Sequence, residues 1–276
     1  MLPTITTWGD YRAKSREFDA VLEHAKAVAA ALDGLQPITP NAAHGGRIFV
    51  KLLSHCIALR ELAGSVSATP SGGLWLVASM SAVARSVVEA FDAFEYVAGH
   101  DVSSAERDFR IRLWELHDLT RRMKMQDGTD LQAEGHRRRT ALEHHQFLPS
   151  LRPELRGELL QRIAKGEPPA FHLSQRQRCA HSGVDAAWHG RITMTLSQHA
   201  HTLPSSVGQL FELRTDSPEA PRLVATPLLA ALPFLARTTQ AVALLMPSRA
   251  PSPPSRTGRT MATWRALAAN GAWAAD

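Results

Sequence analysis

Arg107, Arg110, Trp114, His117, Arg121 and Lys124 are separated by steps of 3, 4, 3, 4 and 3. On a helix that spacing returns to one face, so these residues form a stripe of cations around an aromatic ring. A nucleic-acid backbone could lie along such a stripe, with bases stacking on the tryptophan. The same segment carries the acid-first pairs Glu106–Arg110, Asp108–Arg112 and Asp118–Arg122, the ordinary dressing of a solvated helix. A second constellation joins distant positions. Arg85, Glu89, Asp92 and Tyr96 lie at steps of 4, 3 and 4, and Ser197 and His201 are four apart. If their two helices are neighbours, Arg85, Glu89, Ser197 and His201 form one polar cluster, in which Glu89 could orient the histidine or the arginine. A satisfied structural network has the same composition. A third feature is an arginine followed five residues later by a histidine: Arg139 with His144, Arg112 with His117, and Arg176 with His181.

The Arg139–His144 spacing, within His136-Arg137-Arg138-Arg139-Thr140-Ala141-Leu142-Glu143-His144-His145, resembles that of the small helical HEPN (higher eukaryotes and prokaryotes nucleotide-binding) domains. These carry an Arg, four to six residues, then a His. The resemblance implies metal-independent RNA cleavage: the 2′-hydroxyl of RNA attacks, His144 exchanges protons near neutral pH, and Arg139 stabilises the crowded phosphate. Where those domains prefer a polar residue directly after the Arg, this chain has Thr140 and Gln177 in two of the three matches and the apolar Leu113 in the other. A second resemblance covers 84–125 and 192–206. It is to an uncharacterised family of bacterial helical proteins with Arg-x-x-x-Glu on an early central helix and a late Leu-Ser-x-x-x-His. The matching residues are Arg85 with Glu89, and Leu196-Ser197-Gln198-His199-Ala200-His201 before Thr202-Leu203-Pro204. Thr193 stands where that family has an aromatic, and the likeness implies a fold more than an activity.

Other chemistries find less in the chain. Neither HExxH nor CxxC spacing occurs, so a zinc site would have to be assembled across the fold, and no metal or other cofactor is expected. Cys179 and His181 are two apart and do not face each other on a helix. Gly45-Gly46 and Gly72-Gly73 precede helices but lack the lysine–serine pair of a phosphate loop.

The elements that position these residues follow from proline and glycine. No proline occurs between Pro3 and Pro37, Pro70 and Pro149, or Pro169 and Pro204. These stretches are rich in Ala, Leu, Arg and Glu, which lose little rotamer freedom in a helix. The pattern predicts helices at 9–33, 45–64, 72–98, 104–126, 130–147, 153–164, 182–202 and 223–246. Ser103 with Glu106 is a capping-box signature. Gly34, Gly99 and Gly166 sit near helix ends. Val77, Met80, Ala84, Val87, Phe91 and Phe94 form one apolar seam, widened by Leu76, Val83, Ala90 and Val97, so 72–98 reads as the central helix of an all-α bundle spanning 1–246.

The 276 residues carry 31 Lys+Arg against 26 Asp+Glu, and 44% are hydrophobic, enough for a core. The arginine bias suits bidentate phosphate contacts, though a GC-rich genome gives the same bias. Two cysteines exclude a disulfide framework and fit a reducing compartment. The N-terminus lacks the parts of a signal peptide, and Pro227, Pro233, Arg237 and Gln240 interrupt the apolar run at 223–246, so a cytoplasmic protein with no membrane partner is expected. Residues 247–276, rich in Pro, Ser and Arg, read as a disordered basic tail with a short helix near 261–269. Two functions follow: an RNA-binding or RNA-cleaving protein, or a non-catalytic helical scaffold that forms homodimers and binds a protein or nucleic acid.

Overall fold

The computed structural model describes residues 2–34, 39–66, 74, 76–126, 129–212, 214–247 and 249–272. The fold is all-α, a multi-helix arrangement without a strand among the described residues. The helices are α1 (Trp8–Leu32), α2 (Pro40–Val66), α3 (Leu76–Phe94), α4 (Ser104–Met125), α5 (Thr129–Glu143), α6 (Pro153–Ala164), α7 (Gln175–Ser182), α8 (Ala186–Ala200), α9 (Pro204–Glu212), α10 (Ala220–Leu245) and α11 (Ser255–Asn270). A π-helical turn, Glu95–Gly99, extends α3. The glycine pair 72–73, within the start of the predicted central helix, lies outside the described residues.

Local chemistry explains where the helices begin and end. The Thr7 hydroxyl accepts from the Asp10 amide at 3.1 Å while the Asp10 carboxylate accepts from the Thr7 amide at 2.9 Å, so two amides at the start of α1 are satisfied reciprocally. Ser103 caps α4 as expected, accepting from the Glu106 amide at 3.2 Å. Glu106 does not complete the box; its carboxylate takes Arg110 instead, at 2.5 Å. The helix expected over 182–202 is α8, which starts only at Ala186, and the separate short helix α7 before it was not expected. Gly183, at φ +62°, closes α7 in the left-handed conformation that suits glycine, and the Asp185 carboxylate starts α8 by accepting from the Trp188 amide at 2.6 Å.

The core is organised around α10, whose residues Leu228–Ala236 are buried on every side. Against it pack α1, α2, α3 and α11. By length and composition α10 is the helix among the described residues that could cross a membrane, and 67% of its most apolar window is buried inside the protein. The predicted α3 seam is observed: Val77, Met80, Ala84, Val87, Phe91 and Phe94 are all buried. A smaller apolar cluster stands apart, with Phe109, Leu113 and Leu116 of α4 packed on Leu142, Leu148, Leu159 and Ile163. Its helices are α4, α5 and α6, so α4 has an apolar face on one side and must put its other face toward the main core.

The C-terminal segment corrects the expected disordered tail. Residues 255–270 form α11, with Thr257, Met261, Trp264, Leu267 and Ala268 buried against α10 and α1. Average composition hid the spacing: 261, 264, 267 and 268 share one helical face, and burying a tryptophan and a leucine offsets the ordering entropy of a short helix. Residues 248 and 273–276 lie outside the described set.

Candidate functional site

The cationic stripe is folded inward for half its length. Arg110 is completely buried, and Arg107 is half-buried with its guanidinium on the carbonyls of Val97 (3.2 Å) and His100. Trp114 is half-buried and meets His44 edge-on at 5.8 Å. His117 donates through Nδ1 to the Pro168 carbonyl at 2.8 Å. Arg121 and Lys124 remain exposed. The expectation of one open phosphate-tracking stripe is therefore corrected. The π-helical turn packs on α4, and the 165–174 loop meets α4 through Pro168 at His117 and through His172 at Phe109.

Where these elements meet, the chain assembles a polar junction between its two apolar clusters. Arg110 donates to His100 Nδ1 at 2.7 Å, to the Tyr96 carbonyl at 3.4 Å and to Glu106 at 2.5 Å, and its guanidinium lies 4.9 Å from the Tyr96 ring. The Tyr96 hydroxyl bonds His172 Nδ1 at 2.8 Å. His181 of α7 is exposed and stacks on buried His100, centroids 5.0 Å apart and planes 19° from parallel. Arg178, one turn before it, lies over Phe171 at 4.4 Å and reaches Asp92 at 3.5 Å. Asp92 in turn accepts from His189 Nε2 at 2.9 Å, and Gln175 donates to the other ring nitrogen at 2.5 Å. Apart from the Arg110–Glu106 pair within α4, these bonds join different elements.

Burial controls the protonation here. His100 is pushed down to about 3, first by desolvation, then by Arg110, His181, Arg107 and Arg178. His172 is pushed down to about 3 by desolvation, then by Arg110 and His181. Glu95, in the π-helical turn, is pushed up to about 7 by burial, against the pull of Arg237 and Arg107; its carboxylate lies over Gly99, where a Cβ would come within 2.6 Å of Oε2.

A pH dependence of stability follows. Both histidines titrate lower in the fold than their ordinary 6.5, so the stability from keeping them neutral is present above 6.5 and lost as pH falls toward about 3. Glu95 acts oppositely: raised from 4.5 to about 7, its share is present below 4.5 and lost as pH rises through about 7. Between 4.5 and 6.5 these three groups leave unfolding with a net uptake of about one proton, or about 1.4 kcal/mol of stability lost per unit of falling pH. Glu95→Gln removes the opposing group, and the slope of urea-derived stability between pH 5 and 6 is expected to rise to about 2.7 kcal/mol per unit. An unchanged slope would place Glu95 in water.

The second constellation assembles in part. α3 and α8 are neighbours; Arg85 donates to Glu89 at 3.0 Å, to Ser197 Oγ at 3.2 Å and to the Thr193 carbonyl at 3.4 Å. Thr193, which replaces the aromatic of the family pattern, thus supplies a carbonyl to the arginine. His201 sits beyond α8 as its C-cap, exposed, with its amide on the Ser197 carbonyl at 3.0 Å. His55 of α2 was not anticipated. Burial and Lys51 lower it while Glu89 pulls it back, which places it beside this cluster; no spacing in the sequence links α2 to α3.

The expected catalytic pair is not assembled. His144 is exposed and its Nδ1 donates to the Thr140 carbonyl at 2.9 Å. Arg139 is half-buried and its guanidinium points toward Gly166. No hydrogen bond joins the two among the described residues, because five positions along a helix turn the side chains about 140° apart. His201 caps α8, which packs on α3 and α7, whereas α5 packs on α4 and α6. Neither thiol is poised for nucleophilic work: burial raises Cys56 and Cys179, the latter to about 11. Among the described residues no group of three His, Cys, Asp or Glu is placed to hold a metal ion. Comparisons with protein-family models, with curated proteins and with solved structures find no match for this chain.

Proposed function

We propose that this chain is a helical RNA-binding protein that holds the phosphate backbone without cleaving it. The observation carrying the reading is the charge of the segment 220–272. Residues 220–272 contain six arginines and no acid, and Arg249, Arg256 and Arg259 are exposed on α11 and its lead-in. None of the three has an acidic partner among the described residues. The arginines of α4 and α5 differ: Arg112, Arg122, Arg137 and Arg138 each meet a carboxylate three or four residues before them. Uncompensated guanidiniums on a rigid helix suit phosphate oxygens. The separation of Arg139 from His144 and from His201 favours binding over cleavage.

The test uses labelled single-stranded RNA and the full chain in EDTA. Binding through three phosphates predicts log K falling with log salt at a slope of about −2. The triple variant Arg249→Ala, Arg256→Ala, Arg259→Ala is expected to flatten most of that slope, and the RNA is expected to stay intact. Cleavage that His144→Ala or His201→Ala abolishes would overturn the non-catalytic reading. Failure to bind at 50 mM salt, or equal binding by the triple variant, would overturn the RNA reading.

A further inference from the structure

We propose that the polar junction is a binding site for a small oxyanion, of the class of inorganic phosphate or a phosphomonoester, received by the Nε2–H edge of His100. The tautomer is set by the neighbour. A guanidinium only donates, so the 2.7 Å contact from Arg110 makes His100 Nδ1 the acceptor and leaves the ring proton on Nε2. That nitrogen is buried and has no acceptor, and the Nε–H of completely buried Arg110 has none either. Buried donors in a folded protein are nearly always satisfied, so two orphans on adjoining side chains mark a place short of oxygen atoms.

The groups acting on His100 are cationic, and Asp101 and Glu95 act on Arg107 beside it. Those cations are Arg110, His181, Arg107 and Arg178, while Glu106 is committed to Arg110 and Asp92 to Arg178 and His189. An oxyanion supplies the missing acceptors, whereas a metal ion would need acceptors where this site presents donors. The exposed imidazole of His181 is stacked on the face of the His100 ring. An exposed side chain changes rotamer in picoseconds to nanoseconds, so opening that side of the His100 ring to solvent requires no helix to move.

The site is separate from the α11 arginines and does not depend on the RNA reading. The full chain is titrated with inorganic phosphate, sodium chloride being the control at matched ionic strength. The readouts are thermal midpoint and the ring 15N shifts of His100. A saturable rise in midpoint with phosphate alone, accompanied by movement of the His100 signals, is the expected result. His100→Phe keeps an aromatic ring without the donor and is expected to abolish the response. Should that variant not fold, Arg178→Gln, at the rim, is expected to weaken it at least tenfold. The triple Arg249, Arg256, Arg259 variant is expected to respond as the wild-type chain does, which separates this test from that of RNA binding. No saturable response, or one unchanged in both His100→Phe and Arg178→Gln, overturns the site. RNA that displaces the phosphate overturns its assignment to a free ion or small monoester.

Discussion

Arg110→Met is expected to lower the unfolding free energy by about 3–5 kcal/mol, the cost of breaking a buried ion pair from one side. Methionine replaces the stem, so the lost quantity is the guanidinium and not the volume. Three acceptors are left behind: His100 Nδ1, the Tyr96 carbonyl and the Glu106 carboxylate. Two of them belong to buried residues, and each orphaned buried polar group costs about 1–3 kcal/mol. The pairing also joins two units, because α4 carries the smaller apolar cluster while Tyr96 and His100 belong to the end of the α3 extension. Urea unfolding at pH 7.5 measures the change as a shift in midpoint at constant m. Adding Glu106→Gln is expected to return part of the loss, since the carboxylate no longer needs a cation, and the double-mutant cycle reads that coupling directly. A loss below about 1 kcal/mol would mean that water reaches the guanidinium.

Trp264→Ala is expected to cost about 3–5 kcal/mol, as large-to-small changes of a buried aromatic do. The indole is fully buried, its N–H donates to the Glu17 carboxylate at 2.7 Å, and the Lys14 ammonium lies 5.7 Å from the ring. Removing it empties the contact of α11 with α1 as well as with α10. Thr263→Ala, one position earlier on the exposed face, is the control and is expected to stay within about 0.5 kcal/mol. A flexible tail would make both substitutions silent in thermal and urea unfolding, so the pair decides between a docked and an undocked α11. The same docking is expected to slow tryptic cleavage after Arg265, which lies half-buried within the helix, relative to cleavage after exposed Arg249.

Much of the helical architecture was written in local pattern. Proline spacing and the seam from Val77 to Phe94 located α3, and Ser103 marked the start of α4. Arg85, Glu89 and Ser197 could be grouped because each pair repeats on a helical face and the two faces met. Three things escaped. The short helices α7 and α9 were not marked, since eight or nine residues are too few to show a clear helical period. The α11 face was diluted by the Pro and Ser residues before it. The junction of Tyr96, His100, Arg110, His172 and His181 has no sequence signature, because its members come from four elements with no common spacing.

The sequence by itself determined the longer helices from α1 to α10 and which of their residues share a face, since both depend on interactions within about four residues of the chain. It determined that 220–272 carries cations without acids. Only the tertiary structure decided what each face meets. The stripe on α4 has the same periodicity whether it faces solvent or protein. Arg110 became a buried pillar and Arg121 an exposed charge because the π-helical turn and the 165–174 loop cover one end of that helix and not the other. The physical reason is that periodicity records angle around a helix axis, while burial, protonation and the tautomer of His100 depend on distances between segments far apart in sequence.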